Sequence, residues 1–352
     1  MTEPIVSVLL PVYNCELYLG AAIQSILSQT FADYEFIIID DGSTDSSASV
    51  VDRFHDSRIH FIQQNNQGLA STLNRGICLA RGRYIARQDA DDLSYPNRFA
   101  LQVDYMERHP RCALLGTWAQ IMEGETLSER FHRHPTAASE LRYQLLFNNP
   151  FVHSSVMIRR SVLDKVGVYS TDPERQPPED YELWSRIARE HDIANIPRIL
   201  QVYREIPGSL SRVGPSPFRR SLIKICAENI STAAGLPADD KDVIALAAIV
   251  HGGAKDLVQK PDFDRLHAIL LTAITHIADS SDSARFHRDS SNLILSIRAS
   301  WLARESPAYG LLHKAGPLRN IAKRLWRLSC QLRSVTMGNR HKHVRSLGRG
   351  AK

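Results

Sequence analysis

Short apolar runs separated by amphipathic stretches dominate the first 90 residues of the chain. Four such runs are bounded by polar or turn-forming residues, a pattern typical of buried strands. They are Val6–Val12, Phe36–Ile39, Ile59–Ile62 and Tyr84–Ala86. Between them, apolar residues recur at helical spacing over 16–29, 48–54 and 69–80. This alternation predicts an α/β domain whose central sheet is mainly parallel and is covered by helices on both faces.

Polar residues follow three of the predicted strands at the point where each strand ends. Pro11–Asn14 closes the first strand, Asp40–Ser43 the second and Asp89–Asp92 the fourth. Because ligands of parallel sheets bind beyond the carboxyl ends of the strands, we expect the three segments to line one crevice. Tyr13 could stack on a base there, and the aspartates of the second segment could contact a base or a ribose. Strand-to-helix turns with capping residues would have a similar sequence.

The fourth strand end carries three carboxylates in four residues, Asp89, Asp91 and Asp92. Alternate residues of an extended chain point the same way, so Asp89 and Asp91 can address one ion. Hard divalent cations prefer oxygen ligands and commonly bind through one or two carboxylates plus substrate phosphates. A lone Asp-x-Asp sequence usually marks a solvated turn. Its position after a strand of the same sheet is what predicts a metal–diphosphate site here.

The remainder of the chain changes character along its length. Residues 113–206 have a mixed pattern, in which Ser155–Ile158 predicts a strand and Asp180–Arg189 predicts a helix. After a Pro-Gly pair at 207–208 the pattern is helical as far as residue 305. We therefore expect an α/β domain over residues 1–208, an all-helical C-terminal region over 209–305 and a tail over 306–352.

Composition narrows the setting in which the protein acts. The chain has 352 residues, of which 43% are hydrophobic, enough to bury a sizeable core. Its five cysteines form no Cys-x-x-Cys pair, which suits a reducing compartment better than a disulfide framework or a zinc site. The sequence shows no pattern of a signal peptide or of a membrane-spanning helix. These features predict a cytoplasmic protein.

The net charge of +5 comes from the tail. Residues 306–352 contain 11 Lys and Arg and no acidic residue, whereas the first 305 residues carry 32 basic against 38 acidic side chains. Apolar residues recur every three or four positions from Leu318 to Val335 around Trp326, with basic residues between them. This pattern predicts a basic amphipathic helix on an anionic membrane surface, at the inner face of the cell membrane. A helix packed on the body would show the same pattern. Because no recognition motif accompanies the basic residues, a nucleic-acid partner is not expected.

The segment from Val6 to about Arg212 resembles the family 2 inverting glycosyltransferases, which have the GT-A fold. The resemblance rests on a series of short motifs in the order found in that family. They are Pro11–Asn14, Ser28–Thr30, Ile39–Asp45, Asn66–Ala70, Leu73–Gly76, Ala80–Arg87, Asp89–Asp92 with Pro96, His153–Ser161 and Glu179–Trp184.

This chain departs from many members of the family at two positions. Leu73 stands where an Arg is common, and Arg75 or Arg87 could supply charge near the nucleotide instead. Glu205 follows Arg204 in a region where a His is common, which leaves the acceptor contacts at that point open. The chain also lacks the Gln-x-x-Arg-Trp signature and the membrane spans of the processive members. Transfer of a single sugar is therefore the favoured interpretation.

Carried onto this sequence, the resemblance implies a donor site at the strand ends. Pro11, Tyr13 and Asp41 would bind the nucleotide, with Tyr13 and Asp41 at its base. Asp89 would contact the nucleotide–metal unit, and Asp91 would be the main ligand of a Mn²⁺ or Mg²⁺ cofactor. The metal would neutralise the charge of the leaving nucleoside diphosphate. The donor would be a UDP-, GDP- or dTDP-sugar.

The resemblance also implies that Asp180 is the general base that takes the proton from the acceptor hydroxyl. A single displacement at the anomeric carbon would then invert that centre. Glu179 is a possible substitute, and both carboxylates could instead be no more than the acidic N-terminus of an amphipathic helix. His153 could line the acceptor side or could be a buried, hydrogen-bonded core residue.

Together these features predict a metal-dependent glycosyltransferase that adds one sugar to a glycan or to a lipid-linked acceptor. A nucleotidyltransferase on a similar sheet would need a basic, glycine-rich phosphate loop after the first strand, and Pro11–Gly20 contains no Lys or Arg. A non-catalytic protein that binds nucleotide sugars, or a scaffold for glycan assembly, is the alternative from another class.

Overall fold

The computed structural model of the protein describes residues 3–206, 218–257 and 259–305. The strands are β1 (Val6–Val12), β2 (Tyr34–Asp40), β3 (Ile59–Gln63), β4 (Tyr84–Arg87), β5 (Leu93–Ser94), β6 (Cys112–Glu123), β7 (Thr126–His132), β8 (Met157–Arg159) and β9 (Asp192–Glu205). The helices are α1 (Glu16–Leu27), α2 (Ser47–Val51), α3 (Leu69–Leu79), α4 (Arg98–Arg108), α5 (Ala138–Leu145), α6 (Arg160–Val166), α7 (Glu179–Glu190), α8 (Arg219–Ala234), α9 (Lys241–Val250), α10 (Phe263–Ile277) and α11 (Ser280–Glu305). Short 3-10 turns lie at His153–Ser155 and Ala254–Asp256.

The described strands form one nine-stranded sheet in the order β3-β2-β1-β4-β8-β6-β9-β5, with β7 beside β6. The first half is parallel, as the sequence predicts, because β1 pairs with β2 and β4, and β2 pairs with β3. The register, in which Val12 is opposite Asp40, brings the carboxyl ends of neighbouring strands to the same level. We call this side of the sheet, formed by residues 11–14, 40–43 and 89–92, the strand-end edge.

The second half of the sheet is mixed, and the sequence pattern predicts little of it. The long strands β6 and β9 are parallel, whereas β7 is antiparallel to β6 and β8 is antiparallel to both β4 and β6. The strand predicted at Ser155–Ile158 is displaced, since Ser155 belongs to a 3-10 turn and the strand begins at Met157. Because β8 runs opposite to β4, the residues just before β8, His153 and Ser154, lie near the strand-end edge.

Apolar cores cover both faces of the sheet. Every residue of β2 is buried, which explains its continuous apolar run. On one face, Val8 and Leu10 of β1 pack with α1, α2 and α4. On the other face, Leu9 packs with residues of α3 and α7. The helices predicted between the first strands are confirmed, because their apolar stripes are the ones that the sheet buries.

Helices α8 to α11 form a third core, as the helical pattern of this region predicts. Its buried residues include Ile230, Leu246 and Leu270. α8 packs against α7 of the sheet domain, and α5 packs against α10 and α11. Within the described ranges, no helix has both the length and the apolar character needed to cross a membrane.

Two expectations from the sequence fall outside the described residues. The domain boundary predicted at residue 208 lies in the segment 207–217, and the basic amphipathic helix lies in the segment 306–352. The domain limits and the membrane-binding tail therefore stay predictions.

The buried side chain of Asn229, on α8, connects the helical region to the sheet domain. Its Nδ2 donates hydrogen bonds to the Leu145 carbonyl oxygen (2.7 Å) and to Ser185 Oγ (2.8 Å). Its Oδ1 accepts a hydrogen bond from Arg189 Nη2 (3.2 Å). The Tyr181 hydroxyl donates to the same Leu145 carbonyl at 2.9 Å. Three of these partners belong to α7, so the network fixes α7 between α5 and α8.

We expect Asn229→Ala to lower the free energy of unfolding by about 1–3 kcal/mol, because it removes the buried partner of several polar groups. Thr232→Ala, on the exposed side of the same helix, is the matched control and should change this free energy by less than about 0.5 kcal/mol. Urea unfolding with linear extrapolation measures both values. Equal stability of the two variants would show that the network does not hold α8 to α7.

Candidate active site

The three aspartates that follow β4 lie together at the strand-end edge. One carboxylate oxygen from each of Asp89, Asp91 and Asp92 lies within 4.8 Å of the other two. Asp92 is buried, and it accepts hydrogen bonds from the backbone N–H of Arg204 (2.8 Å) and from the Ser154 hydroxyl. Asp89 and Asp91 are partly exposed. The group therefore combines one anchored carboxylate with two that a ligand can reach.

The crowding of these carboxylates opposes their ionisation. Burial, together with the charge of Asp89, raises the pKa of Asp91 to about 6. Burial and the charges of Asp89 and Asp91 raise the pKa of Asp92 well above its ordinary value. A nearby positive charge favours the ionised form of a carboxyl group. Oxygen ligands at this spacing, with negative charge to neutralise, fit a hard divalent cation.

Arg87, the last residue of β4, supplies part of the positive charge. Its side chain is 2% exposed, and its Nη1 forms an ion pair with Asp89 Oδ1. Its Nε is buried and has no hydrogen-bond partner. Burial acts to lower the pKa of Arg87, but Asp89 and Tyr169 outweigh it and the pKa lies above its ordinary value. The other arginine suggested by the sequence, Arg75, is exposed and donates to Gln64 Oε1 at 2.6 Å.

Asp41 is buried at the end of β2, and both of its carboxylate oxygens accept hydrogen bonds from the protein. Oδ1 accepts from the Gln64 side chain (2.6 Å) and from the Gln67 backbone N–H (2.9 Å). Oδ2 accepts from the Gly68 backbone N–H (2.9 Å). Asp41 therefore shapes the loop before α3, and any contact it makes with a nucleotide adds to that role.

Pro11 and Tyr13 lie at the neighbouring strand end. Pro11 lies within β1 opposite Ile39 of β2. Tyr13 follows the strand and is 55% exposed, so its ring is accessible for stacking. Next to it, Asn14 has a φ of +49°, and its Oδ1 accepts a hydrogen bond from the Thr44 backbone N–H (2.8 Å). This bond joins the turn after β1 to the turn after β2.

A second pair of carboxylates, Glu179 and Asp180, begins α7. Asp180 Oδ2 accepts a hydrogen bond from Asn149 Nδ2 (2.7 Å), and Oδ1 accepts one from the Tyr181 backbone N–H (2.7 Å). His153 Nδ1 lies 3.8 Å from Glu179 Oε1 and 4.0 Å from Asp180 Oδ2. The orientation of Asp180 is thus fixed by two donors.

Burial sets the protonation of this second group. It raises the pKa of Asp180 to about 6 and, together with the charge of Asp180, raises the pKa of Glu179 to about 7. Burial also lowers the pKa of His153 well below its ordinary value, so this imidazole is neutral. His153 Nε2 is 3.1 Å from the Tyr169 hydroxyl. His153 is therefore a largely buried, hydrogen-bonded residue beside the acidic pair, and a role on the acceptor side stays a prediction.

The two acidic groups act on each other electrostatically. The charge of Asp89 raises the pKa values of Glu179 and Asp180, and the charge of Arg87 lowers them. Asp89 lies in the first group and, through Arg87, is linked to the second. Ser154 binds Asp92, and its neighbour His153 lies 4.0 Å from Asp180 Oδ2, so Asp180 lies near the three aspartates, while Pro11, Tyr13 and Asp41 lie at the ends of β1 and β2.

Arg204 is a functional candidate that the sequence did not assign to the site. Besides its backbone bond to Asp92, its Nε donates to the Asp91 carbonyl oxygen (2.8 Å). Its guanidinium carbon lies 4.4 Å from the centre of the Tyr18 ring. The Tyr-Arg pair at 203–204 was a visible signal, but nothing in the sequence indicated that it meets residues more than 100 positions earlier.

Comparisons with known proteins agree with this arrangement. The family described as Glycosyl transferase family 2 matches residues 7–167. A glycosyltransferase from Haemophilus influenzae is 31% identical over 239 residues, which cover 65% of this chain and 74% of the relative. The Escherichia coli UDP-Glc:alpha-D-GlcNAc-diphosphoundecaprenol beta-1,3-glucosyltransferase WfgD is 29% identical over 215 residues, which cover 60% of this chain and 81% of WfgD.

Solved structures share the fold at low sequence identity. S. aureus TarS in complex with UDP-GlcNAc has a TM-score of 0.56 at 16% identity, over 84% of this chain and 91% of TarS 1-349. The mannosyltransferase PcManGT from Pyrobaculum calidifontis, in complex with GDP-Man and Mn²⁺, has a TM-score of 0.50 at 19% identity, over 85% and 83% of the two chains. The GT-A fold predicted from the sequence is thereby confirmed. The Haemophilus influenzae relative is 31% identical and is covered over 74% of its length, and the family model matches residues 7–167. The chain therefore belongs to glycosyl transferase family 2.

Proposed function

We propose that this glycosyltransferase moves a single sugar from a nucleoside-diphosphate sugar to a hydroxyl of a glycan or lipid-linked acceptor, with inversion of the anomeric centre. The observation that carries the proposal is that two acidic groups lie near each other: Ser154 binds the first group, and the adjacent His153 lies 3.8 Å from Glu179 in the second. The first group is Asp89, Asp91 and Asp92 after β4. The second is Glu179 and Asp180 at the start of α7. One group suits the leaving diphosphate, and the other suits the attacking hydroxyl.

On the donor side, Asp91 and Asp89 would hold a Mn²⁺ or Mg²⁺ ion. Their oxygen ligands and their spacing support this assignment, and the PcManGT structure contains Mn²⁺. When bound, such a cation neutralises the charge that develops on the leaving diphosphate. The hydrogen bonds of Asp92 to Ser154 and Arg204 keep the segment in place, so that the two partly exposed carboxylates face the donor.

The nucleotide would bind across the ends of β1 and β2. The exposed ring of Tyr13 supports stacking on the base, with Pro11 beneath it in the strand. Asp41 holds the loop before α3 and would contact the base from there. TarS is solved with UDP-GlcNAc and PcManGT with GDP-Man, which supports a nucleoside-diphosphate sugar as the donor class.

On the acceptor side, Asp180 would take the proton from the attacking hydroxyl. A carboxylate with a pKa of about 6 is ionised at neutral pH and is more basic than an ordinary aspartate, as a general base requires. Its bonds from Asn149 and from the Tyr181 N–H aim the carboxylate. Glu179 is the adjacent candidate for the same role.

A lipid-linked acceptor is supported by one relative. WfgD is named for transfer to GlcNAc-diphosphoundecaprenol, which is a lipid-linked sugar. The basic amphipathic pattern of the tail supports a site of action on the anionic inner face of the cell membrane. We include this peripheral location in the proposal.

Turnover should depend on both acidic groups. With membrane extract as acceptor and Mn²⁺ or Mg²⁺ present, we expect one member of a panel of UDP-, GDP- and dTDP-sugars to release its nucleoside diphosphate. Asp180→Asn should lower kcat roughly 10²- to 10⁴-fold, because an amide cannot accept the proton. Asp91→Ala should abolish the metal-dependent release, since it removes the main ligand.

Glu190→Gln is the matched control, because Glu190 is exposed at the far end of α7. Its activity should equal that of the wild type. Nucleotide-sugar binding without release from any donor would contradict the proposal and would favour the scaffold alternative.

Activity should rise with pH between about 5.5 and 7.5. The pKa values of Asp180 and Glu179 are raised to about 6 and about 7, so both groups take up protons as the pH falls through this range. A protonated base cannot accept the hydroxyl proton, and kcat at saturating donor and metal should therefore fall on acidification. In Glu179→Gln, a midpoint that stays near pH 6 would assign the base to Asp180. A flat profile would exclude both carboxylates as the base.

A further inference from the structure

Arg87 is a buried arginine placed between two acidic groups, and it forms an ion pair with only one of them. We propose that Arg87 is a positioning residue shared by the two groups: it holds Asp89 while no cation is bound, and it turns toward Glu179 and Asp180 once a divalent cation engages Asp89. This inference rests on the proposed function, because it assumes the cation site at Asp89 and Asp91.

The contact with Asp89 puts Arg87 in competition with a cation. The ion pair uses Oδ1 of a carboxylate that also belongs to the three-aspartate group. A cation bound to this carboxylate neutralises the negative charge that attracts the guanidinium. The two positive charges also repel each other at this short range. Binding of a cation at Asp89 and Asp91 therefore weakens the ion pair between Asp89 and Arg87.

The surroundings of Arg87 fix its backbone and leave its guanidinium held mainly by Asp89. Its backbone N–H donates to the Val156 carbonyl (3.0 Å), and its own carbonyl accepts from Arg98 Nη2 (2.8 Å). By contrast, its Nε has no hydrogen-bond partner, and its Nη1 contacts Asp89. A change at Asp89 can thus release the guanidinium without moving β4.

The second acidic group is where a released guanidinium would find compensation. Within residues 3–206 and the described helices that follow, neither Glu179 nor Asp180 forms an ion pair with Lys or Arg. Their neighbour His153 is neutral, because burial lowers its pKa. Arg87 lies close to this group, because its backbone N–H donates to the Val156 carbonyl (3.0 Å), three residues after His153, and His153 Nδ1 is 3.8 Å from Glu179 Oε1. A buried guanidinium without a carboxylate is costly, and this pair of carboxylates, which no described Lys or Arg engages, would compensate it.

This movement would couple the two halves of the reaction. When a cation binds on the donor side, the Arg87 guanidinium turns toward the acceptor side. Its positive charge there favours the ionised form of the base. The base would then be fully prepared only in the enzyme that has taken up its cation.

The test is the affinity for Mn²⁺ alone, measured by isothermal titration calorimetry without nucleotide on the full chain. We compare the wild type with Arg87→Met, Arg87→Gln and Arg87→Lys. Met preserves much of the side-chain volume without polar atoms, so it guards against a folding defect of the Gln variant. Arg75→Met is the matched control, because it removes the same charge from an exposed position.

Arg87→Met and Arg87→Gln should bind Mn²⁺ at least about fivefold more tightly than the wild type, because the competing charge is gone. Arg87→Lys should lie between them and the wild type, and Arg75→Met should match the wild type. In turnover assays, Arg87→Met should lower kcat without raising the KM of the donor, and Arg87→Lys should restore part of kcat.

Unchanged or weaker Mn²⁺ binding by well-folded Arg87→Met would overturn the shared role of Arg87 and leave the proposed function standing. A wild type that binds no Mn²⁺ and turns over without any metal would instead overturn the metal-dependent function itself. The two failures are therefore distinguishable.

Discussion

The compensation of buried negative charge is the constraint on which the rest of this site depends. Asp92 is 1% exposed and lies beside two further aspartates, a group that could not persist in a protein interior without positive partners. The fold provides Arg87 at the end of β4, Arg204 at the end of β9 and Arg98 at the start of α4. Arg87 pairs with Asp89, the backbone N–H of Arg204 donates to Asp92, and Arg98 donates to the Arg87 carbonyl.

Arg98 shows how far this compensation extends. It is fully buried, and its guanidinium donates to neutral oxygens of Gln88, Ser94, Gln201 and the Arg87 carbonyl. Burial lowers its pKa to about 9, so the group remains a cation at neutral pH. The positive charge of Arg98 therefore acts on Asp92, although its guanidinium donates its hydrogen bonds to neutral oxygens. It leaves Asp89 and Asp91 available to a ligand.

The sequence predicted the first half of the fold well because that half is built from local units. Each strand and helix up to residue 90 can be recognised from the spacing of its own apolar residues, and the alternation of strands and helices predicts parallel pairing. The second half of the sheet depends on contacts between residues far apart in the chain, which no local sequence pattern predicts. The pairing of β6 with β9 and the bond from Arg204 to Asp92 join residues that are far apart in the chain.

The candidate site divides in the same way. Asp89, Asp91 and Asp180 were singled out from motifs; the structure groups Asp89 and Asp91 with Asp92, and Asp180 with Glu179 and His153. The internal bonds of Asp41 were not predictable, because they depend on how the loop before α3 folds back over the strand end. The contact between the helical region and the segment before α7 was also not predictable from the sequence. Arg175 in that segment donates two hydrogen bonds of 2.7 Å to Glu228 of α8.

The reversed direction of β8 has a consequence for how such enzymes diversify. Residues up to Asp92 supply the ends of the parallel strands, whereas His153, Asn149 and Asp180 belong to later segments that pack on the same sheet. The two parts share one sheet, through the pairing of β4 with β8, and both apolar cores, and Ser154 and Arg204 bind Asp92 where the parts meet. Under the proposed function, a substitution in the later part could change the acceptor only as far as Ser154 and Arg204 still hold Asp92 in place.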